Sequence, residues 1–392
     1  MPLVDESIYG RFARAVKPVV LLFLFVATLA LATQVTNPYP SDFVSFWAAG
    51  ILALDGNPAA AYDVAVHRAV EEQGVAMRGD MPFPYPPPFL ILAAPFSLLP
   101  YVPALLCWVV ATLTFYLLCL RTLAPRAGLA AAAFPPVLTN AIIGQVGFIL
   151  CGLLAAGLAL LPKRPLIGGA LLGILILKPQ LGLVLPFALL AAREWRAIAG
   201  AAMSTMGVLL IGVVLFGMGS YEAWIAQAPL YASIATEGLT GWNKMASVYA
   251  ALRLAGTAHM VALVAHFLVA VVVTLAACAV WRRTTDLGPR AASLAAATAL
   301  ASPYLYSYDA IILVIPFLWL AETARDRPLL VPIWIIALMA FLQNWTGDLP
   351  VNVAPLAALG LFALVCRRVW RRARPDTESL SSAGLAPQRV AA

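Results

Sequence analysis

Long apolar runs separated by short charged stretches follow one another along almost the whole chain. A helix crosses the hydrocarbon core of a bilayer with about 20 apolar residues, within a range of roughly 17 to 25. The pattern therefore predicts an all-α membrane protein of about twelve spans, several of them short and interrupted by proline. The predicted spans are 18–34, 100–121, 126–139, 143–161, 165–178, 179–193, 196–217, 259–281, 290–303, 307–321, 328–343 and 350–367.

Two segments between spans are too long to be simple turns, residues 35–88 and 218–258. In the first, AYDVAVHRAVEEQG has apolar residues at helical spacing and predicts an amphipathic helix on the membrane surface. Its apolar positions are Val64, Val66, Ala69 and Val70. Five prolines from Pro82 to Pro88 then exclude a regular helix. The following apolar piece, Phe89 to Leu99, is too short to cross comfortably, so we expect a re-entrant or half-depth helix, with a thirteenth span as the alternative.

Composition excludes a soluble fold. The chain of 392 residues is 62% hydrophobic and 11% charged, with a mean hydropathy of +0.90, whereas soluble domains carry about 25% charged residues. Its five cysteines lie in or beside apolar runs without paired spacing, and most are read as small buried hydrophobes.

The distribution of charge predicts the orientation. If the N-terminus is cytoplasmic, 20 of the 25 lysines and arginines fall on the inner side, as the positive-inside rule requires. We therefore expect a cytoplasmic N-terminus (1–17), one membrane domain (18–368) and a disordered cytoplasmic tail (369–392). The basic balance then reflects contact with anionic lipid heads, and no motif indicates a nucleic acid partner.

Polar side chains at membrane depth are energetically costly and therefore mark functional candidates. In this chain they gather at the outer ends of the predicted spans, whereas the inner ends hold mostly arginine and lysine. This asymmetry indicates an active site that opens outward. The outer candidates are Asp42, Tyr85, Asn140, Gln145, Lys178, Gln180, Lys244, Tyr306, Tyr308 and Asp309.

Two carboxylates have both a chemical and a structural interpretation. Asp42 follows the first span and stands beside aromatic residues, where partial desolvation would raise its proton affinity and suit a general base. It also directly precedes a helix-like stretch, so an N-cap is the alternative. Asp309 either serves the site or caps a helix or pairs with an outer lysine.

The remaining candidates also keep two interpretations. Lys178 either extends its ammonium group to the interface or binds a lipid-linked phosphate beside a helix break. Gln145 either hydrogen bonds between helices or recognises sugar hydroxyls. The histidines His67, His259 and His266 lack metal-ligand spacing, and no nucleotide-binding signature occurs in a usable context.

Five stretches in order resemble one known family. They are SDFVSFWAAGILALDGNPAAAYD, FPYPPPFLILAAPFSLLP, NAIIGQVGFIL, GGALLGILILKPQLGLVLPFALLAAREWRA and ASPYLYSYDAIIL. Together they resemble the integral-membrane glycosyltransferases of the GT-C superfamily, and within it glycosyltransferase family 87, whose members are alpha-mannosyltransferase-like and use polyprenyl-phosphate sugars. Relatives often carry a histidine near the last stretch, where this chain has Tyr304, Tyr306 and Tyr308.

The resemblance implies an inverting hexose transfer, with mannose as the expected sugar, from a polyprenyl-phosphate donor to an envelope glycolipid or glycan. The reaction would take place on the extracytoplasmic face of the bacterial cytoplasmic membrane, with Asp42 as the matching general base. Lys178, Lys244 and Arg253 are then expected to bind the donor phosphate. No cofactor is required, although a divalent metal is compatible with the reaction. The expected substrate-binding residues are Tyr85, Asn140, Gln145, Gln180, Tyr306, Tyr308 and Asp309.

Two other classes of function fit a chain with this many spans. A transporter or flippase would suit broken helices, but it requires a polar path to the inner face. A scaffold without catalytic activity would leave the outer cluster of Asp42, Lys178 and Asp309 unexplained.

Overall fold

The computed structural model describes residues 6–125, 128–322, 327–346 and 351–372, and these residues form helices joined by turns. Among them the sole extended pairing is one antiparallel bridge between Met245 and Tyr306. The expected all-α architecture is therefore confirmed for the described part of the chain. The helices are α1 (Glu6–Thr36), α2 (Phe43–Leu54), α3 (Val64–Gly74), α4 (Leu90–Ser97), α5 (Tyr101–Leu123), α6 (Gly128–Ala132), α7 (Pro135–Ile143), α8 (Gly147–Leu160), α9 (Pro165–Gly173), α10 (Leu185–Ala191), α11 (Trp195–Ala226), α12 (Ala228–Glu237), α13 (Val248–Leu254), α14 (His259–Arg283), α15 (Leu287–Ala301), α16 (Val314–Ala321), α17 (Arg327–Thr346) and α18 (Ala354–Arg372).

Four helical stretches of the described residues are long and apolar enough to cross a membrane: Val16–Thr36, Tyr101–Leu123, Trp195–Glu237 and His259–Arg283. The other apolar helices are shorter, so the count of about twelve spans stays a prediction. At about 1.5 Å per residue, the eight-residue helix α4 is too short to cross a bilayer. Helix α18 continues to Arg372, and the rest of the expected disordered tail lies outside the described residues.

The expected helix breaks are present, and proline accounts for several of them. The stretch predicted as two spans, 165–193, is α9, a 3₁₀ turn Ile174–Leu177, a second 3₁₀ turn Pro179–Gly182, and α10. Lys178 stands between the two turns with a non-helical backbone. Proline lacks an N–H group and suits the first position of a helix or turn. Pro179 accordingly begins the second 3₁₀ turn.

Helix α3 forms where the sequence predicts it, and the proline-rich loop determines which of its side chains the protein buries. Asp63 caps the helix by accepting hydrogen bonds from the N–H groups of Ala65 and Val66, at 3.0 and 3.1 Å. The structure buries His67, Val70 and Glu71 and leaves Val66 40% exposed. The reason is tertiary, because the ring of Phe83 from the proline-rich loop covers the His67 side of the helix at 6.3 Å.

At one end of the helix bundle, arginines pair with acids and tryptophans. The Nη1 of Arg290 lies 2.6 Å from Glu194 Oε1, and the guanidinium of Arg368 lies 4.1 Å from the Trp319 ring centre. These arginines belong to the set expected to be cytoplasmic. Their grouping at one end agrees with that expectation, while the orientation in the membrane stays a prediction.

At the other end, the two long segments are joined through the proline-rich loop. Prolines leave the carbonyl groups of this loop without helical partners, and side chains donate to three consecutive ones. Tyr231 OH donates to Phe83 O at 2.5 Å, Trp224 Nε1 to Pro84 O at 3.2 Å, and Tyr62 OH to Tyr85 O at 2.9 Å. Tyr231 and Trp224 belong to the second segment and Tyr62 to the first. We call these three contacts the carbonyl clamp.

If the hydrogen bonds of the carbonyl clamp are removed, we expect the proline-rich loop to loosen and the second segment to separate from it. The double substitution Tyr62→Phe/Tyr231→Phe leaves two buried carbonyls unpaired, and each lost bond costs about 1 kcal/mol. We expect trypsin to cleave the native protein in lipid nanodiscs at least about fivefold faster at Lys244 and Arg253.

Tyr221→Phe is the matched control, because the Tyr221 hydroxyl donates to Leu209 O within α11 and joins no other element. Equal cleavage of the double variant and this control would refute the clamp.

Candidate active site

The candidate site lies where helix α2 begins. Tyr101 of α5 fixes the chain just before it, because its hydroxyl contacts both the N–H and the Oγ of Ser41, at 3.3 and 2.9 Å. Behind the start of α2, aromatic side chains form a buried layer in which the Phe46 ring lies 4.9 Å from that of Phe89 and 5.6 Å from that of Trp108. Asp42 stands half-buried at the edge of this layer.

A tight turn between α7 and α8 approaches α2 from the side. Gly144 ends α7 with φ of +68°, a left-handed conformation that favours glycine. A Cβ at this position would lie 2.7 Å from the Cβ of Phe43, closer than van der Waals contact permits. The absence of a side chain at Gly144 therefore lets the turn place Gln145 beside Asp42.

Gln145 binds the Asp42 carboxylate directly. Its Nε2 donates to Asp42 Oδ2 at 2.7 Å, and its Oε1 accepts from the Tyr85 hydroxyl at 3.2 Å. Asp42 occupies the N-cap position of α2 but makes no side-chain capping bond. Its carboxylate thus remains available for chemistry. The contact of Gln145 with this carboxylate is a hydrogen bond between elements, one of the two interpretations of Gln145.

Burial raises the pKa of the Asp42 carboxyl above its usual value. The hydrogen bond from Gln145 and the charges of Lys244 and Lys178 oppose this rise. The result is a carboxylate with greater proton affinity than a solvated aspartate, as a general base requires.

Lys178 and Asp309 form a buried ion pair. Lys178 Nζ lies 2.7 Å from Asp309 Oδ1, and the two side chains are 5% and 0% exposed. The ammonium group also lies 4.6 Å from the Tyr308 ring centre and 5.7 Å from that of Tyr85. The backbone N–H of Tyr306 donates to Asp309 Oδ2 at 3.3 Å. The pairing of Asp309 with a lysine, one of the structural interpretations of this residue, is therefore observed.

The tyrosine-rich turn before Asp309 is held from two sides. Asn140 Nδ2 donates to Tyr308 O at 2.8 Å, so its amide supports the turn. The rings of Tyr306 and Tyr308 stack in parallel with centres 5.4 Å apart. From the second segment, Thr240 Oγ1 lies 3.2 Å from the Tyr306 hydroxyl. Sequence analysis did not identify Thr240, because a single threonine in a turn has no local signal.

Three further residues that the sequence analysis assigned to the site lie in different surroundings. Lys244 is exposed and makes no salt bridge within the part of the chain described, although its charge acts on Asp42. Arg253 stacks on Trp242 at 4.5 Å and donates to the carbonyls of Thr236 and Thr257, so it holds the second segment together. Gln180 is half-buried, and its side chain makes no hydrogen bond to the cluster within the described structure.

The histidines lie apart from one another. His67 Nε2 is 3.3 Å from Glu71 Oε1, His259 Nδ1 is 2.9 Å from the Tyr249 hydroxyl, and His266 Nε2 is 3.3 Å from Ala301 O. Over the described ranges, no three His, Cys, Asp or Glu side chains gather in a group that could hold a metal ion. The site presents carboxylates, ammonium groups, amides and phenols.

The buried pair predicts a characteristic pattern of stabilities. Lys178→Met leaves the Asp309 charge unpaired, and Asp309→Asn does the same to Lys178, so each is expected to destabilise by about 3–5 kcal/mol. Lys178→Met/Asp309→Asn removes both charges and should recover most of this loss. Thermal unfolding in nanodiscs measures the stability of each variant. Strictly additive losses in the double variant would contradict a paired interaction.

With the geometry described, comparison with known proteins assigns the family. A family model described as glycosyltransferase family 87 matches residues 83–303. This range contains Tyr85, Gln145, Lys178 and Lys244; it begins after Asp42 and ends before Asp309. No curated protein and no solved structure matches the chain. Because the family match covers more than half of the chain, the protein belongs to glycosyltransferase family 87 and is a multi-pass membrane glycosyltransferase.

Proposed function

We propose that this protein transfers a hexose, with mannose as the first sugar to test, from a polyprenyl-phosphate donor to an envelope glycolipid or glycan. Transfer takes place with inversion on the extracytoplasmic face of the bacterial cytoplasmic membrane. One observation carries the proposal: a half-buried carboxylate, Asp42, lies within electrostatic range of two lysines, of which only Lys178 has a salt-bridge partner among the described residues.

The proposed reaction needs a base and no general acid. The acceptor hydroxyl oxygen attacks the anomeric carbon and forms the new glycosidic bond, while its proton passes to Asp42. The bond between the anomeric carbon and the phosphate oxygen breaks, and polyprenyl phosphate leaves with the bonding electrons. Because the leaving group is already an anion, its charge has to be stabilised but not protonated.

The two lysines divide this work. Asp309 offsets the charge of Lys178 at 2.7 Å, so Lys178 contributes mainly by holding the site's shape and by its field on Asp42. Lys244 is exposed and keeps its charge unpaired among the described residues. We therefore assign the donor phosphate to Lys244 first, and the tyrosine turn of Tyr306 and Tyr308 to the sugar.

Family membership argues against the transporter alternative, and helix α15 adds a physical reason. A transporter needs a polar path between the two bundle ends. Helix α15 is fully buried along Ala291–Ala301 and consists mostly of alanine and leucine. Its polar side chains there, Ser293 and Thr298, are too few to line such a path.

The proposal predicts that Asp42→Asn removes transfer while leaving the fold intact. The purified protein in nanodiscs is supplied with radiolabelled polyprenyl-phosphate mannose and a membrane glycolipid extract, and labelled product is counted. Loss of the base should lower kcat by about 10²–10⁴-fold. Since the pKa of Asp42 is raised, wild-type kcat should fall on acidification at a higher pH than a solvated aspartate would give.

Asp55→Asn is the matched control, because Asp55 is exposed at the other end of α2 and should transfer as wild type does. Full activity of folded Asp42→Asn would refute the base assignment, and no product from wild type with any lipid-linked sugar would refute the donor class.

The assignment of Lys244 predicts a binding defect. Lys244→Gln should raise KM for the polyprenyl-phosphate donor by about tenfold, because a charge-assisted contact to phosphate is lost. Lys163→Gln, at an exposed lysine beyond the far end of α8, should leave KM unchanged. An unchanged KM in Lys244→Gln would move the phosphate site elsewhere.

A further inference from the structure

We infer that Gln145 is a positioning residue that holds one oxygen of Asp42 and thereby turns the other oxygen toward the acceptor, with Tyr85 fixing the direction of the Gln145 amide. This inference rests on the proposed function, since it concerns the same base. It differs from the sequence interpretation, in which both residues contact substrate.

The direction of the Gln145 amide is determined by its neighbours. Its Oε1 accepts from the backbone N–H of Val146 at 3.1 Å and from the Tyr85 hydroxyl at 3.2 Å. A backbone N–H can only donate, so the group facing it must be the amide oxygen. The opposite orientation would set NH₂ against the Val146 N–H and oxygen against the Asp42 carboxylate. Only one orientation therefore lets Gln145 donate to Asp42.

The two oxygens of Asp42 consequently differ. Oδ2 accepts the 2.7 Å bond from Gln145 Nε2. Oδ1 accepts no hydrogen bond from the described residues, yet it is not among the fully buried atoms without a partner. It is therefore the oxygen that a substrate hydroxyl can reach, and a rotation that exchanged the two oxygens would give up the Gln145 bond.

Tyr85 is itself rigidly held. Its ring stacks on Phe89 with centres 4.2 Å apart, and its carbonyl accepts from Tyr62 as part of the carbonyl clamp. Its hydroxyl therefore has a fixed place from which to donate to Gln145. Bonds arranged head to tail polarise one another, so the Tyr85 bond strengthens the donation from Gln145 to the carboxylate.

Other groups also act on Asp42 and have to stay constant in the test. Besides Tyr85, whose hydroxyl bonds to Gln145 and which the test varies on purpose, these groups are the cations Lys178 and Lys244 and the phenols Tyr101, Tyr306 and Tyr308. None of the cations is altered by a substitution at Gln145. A change in the titration of Asp42 in such a variant therefore reports the lost amide contact.

The test compares Gln145→Met, Tyr85→Phe and the double variant by the pH profile of kcat. Gln145→Met keeps the volume but removes a bond that favours the ionised carboxylate, so the acidic limb should move up by roughly one pH unit and kcat should fall by about tenfold. The KM for the donor should stay within about twofold of the wild-type value. Tyr85→Phe should shift the limb less, and in the double variant it should add nothing, because Tyr85 acts through Gln145.

Gln227→Met is the matched control, because Gln227 is half-buried in the second segment and its side chain makes no hydrogen bond among the described residues. The acidic limb of the kcat profile of this variant should not move. Three results would overturn the inference: an unmoved limb in Gln145→Met, a raised KM with unchanged kcat, or additive effects of the two substitutions. The second result would return Gln145 to sugar binding.

An infrared titration separates this inference from the proposed function. The protonated carboxyl band of Asp42 is the band that disappears in Asp42→Asn, and its midpoint should rise in Gln145→Met and in Tyr85→Phe. This measurement needs no turnover, so it tests whether Gln145 and Tyr85 act on Asp42 even if the protein transfers no sugar from any lipid-linked donor. If Gln145→Met does not fold, Tyr85→Phe, which lacks a single oxygen atom, supports the inference by a raised midpoint and overturns it by an unchanged one.

Discussion

The ion pair between Lys178 and Asp309 is the interaction on which the rest of the site depends. A buried charge without a partner is strongly unfavourable, and here each charge stands at a break in an apolar helical region. The pair joins two irregular stretches that are 131 residues apart in the chain. By joining them it sets the place of the tyrosine turn on one side and of Tyr85 on the other, and these surround the half-buried Asp42.

Asp42 and the ion pair carry different tasks because their surroundings differ. Asp309 is fully buried and matched by one cation, whereas Asp42 is half-buried and receives a neutral donor from Gln145. Burial alone raises the pKa of Asp42, and the donor and the nearby lysines limit that rise. A carboxylate balanced in this way can accept a proton and release it again, as a base in repeated turnover must.

Several features were predictable from the sequence because they depend on local chemistry. Apolar runs predicted helices, prolines predicted the breaks near Lys178 and the loop before Phe89, and polar residues at span ends predicted one cluster. The face of α3 that the protein buries was not predictable, because the spacing of valines does not reveal that Phe83 covers His67. The same limit applies to Lys178 and Gln145, whose partners come from distant parts of the chain.

By itself the sequence determined that this protein is helical, that it belongs in a membrane, and which residue types stand at the helix ends, since these follow from hydrophobicity and backbone chemistry over short stretches. It also brought Asp42 to the start of α2, but not to any partner. Tertiary structure alone decided that Gln145 contacts this carboxylate, that Asp309 neutralises Lys178 and that Lys244 stays exposed. Such pairings depend on which distant turns pack together, and Gly144 shows why: a single missing side chain permits the approach that brings Gln145 to Asp42.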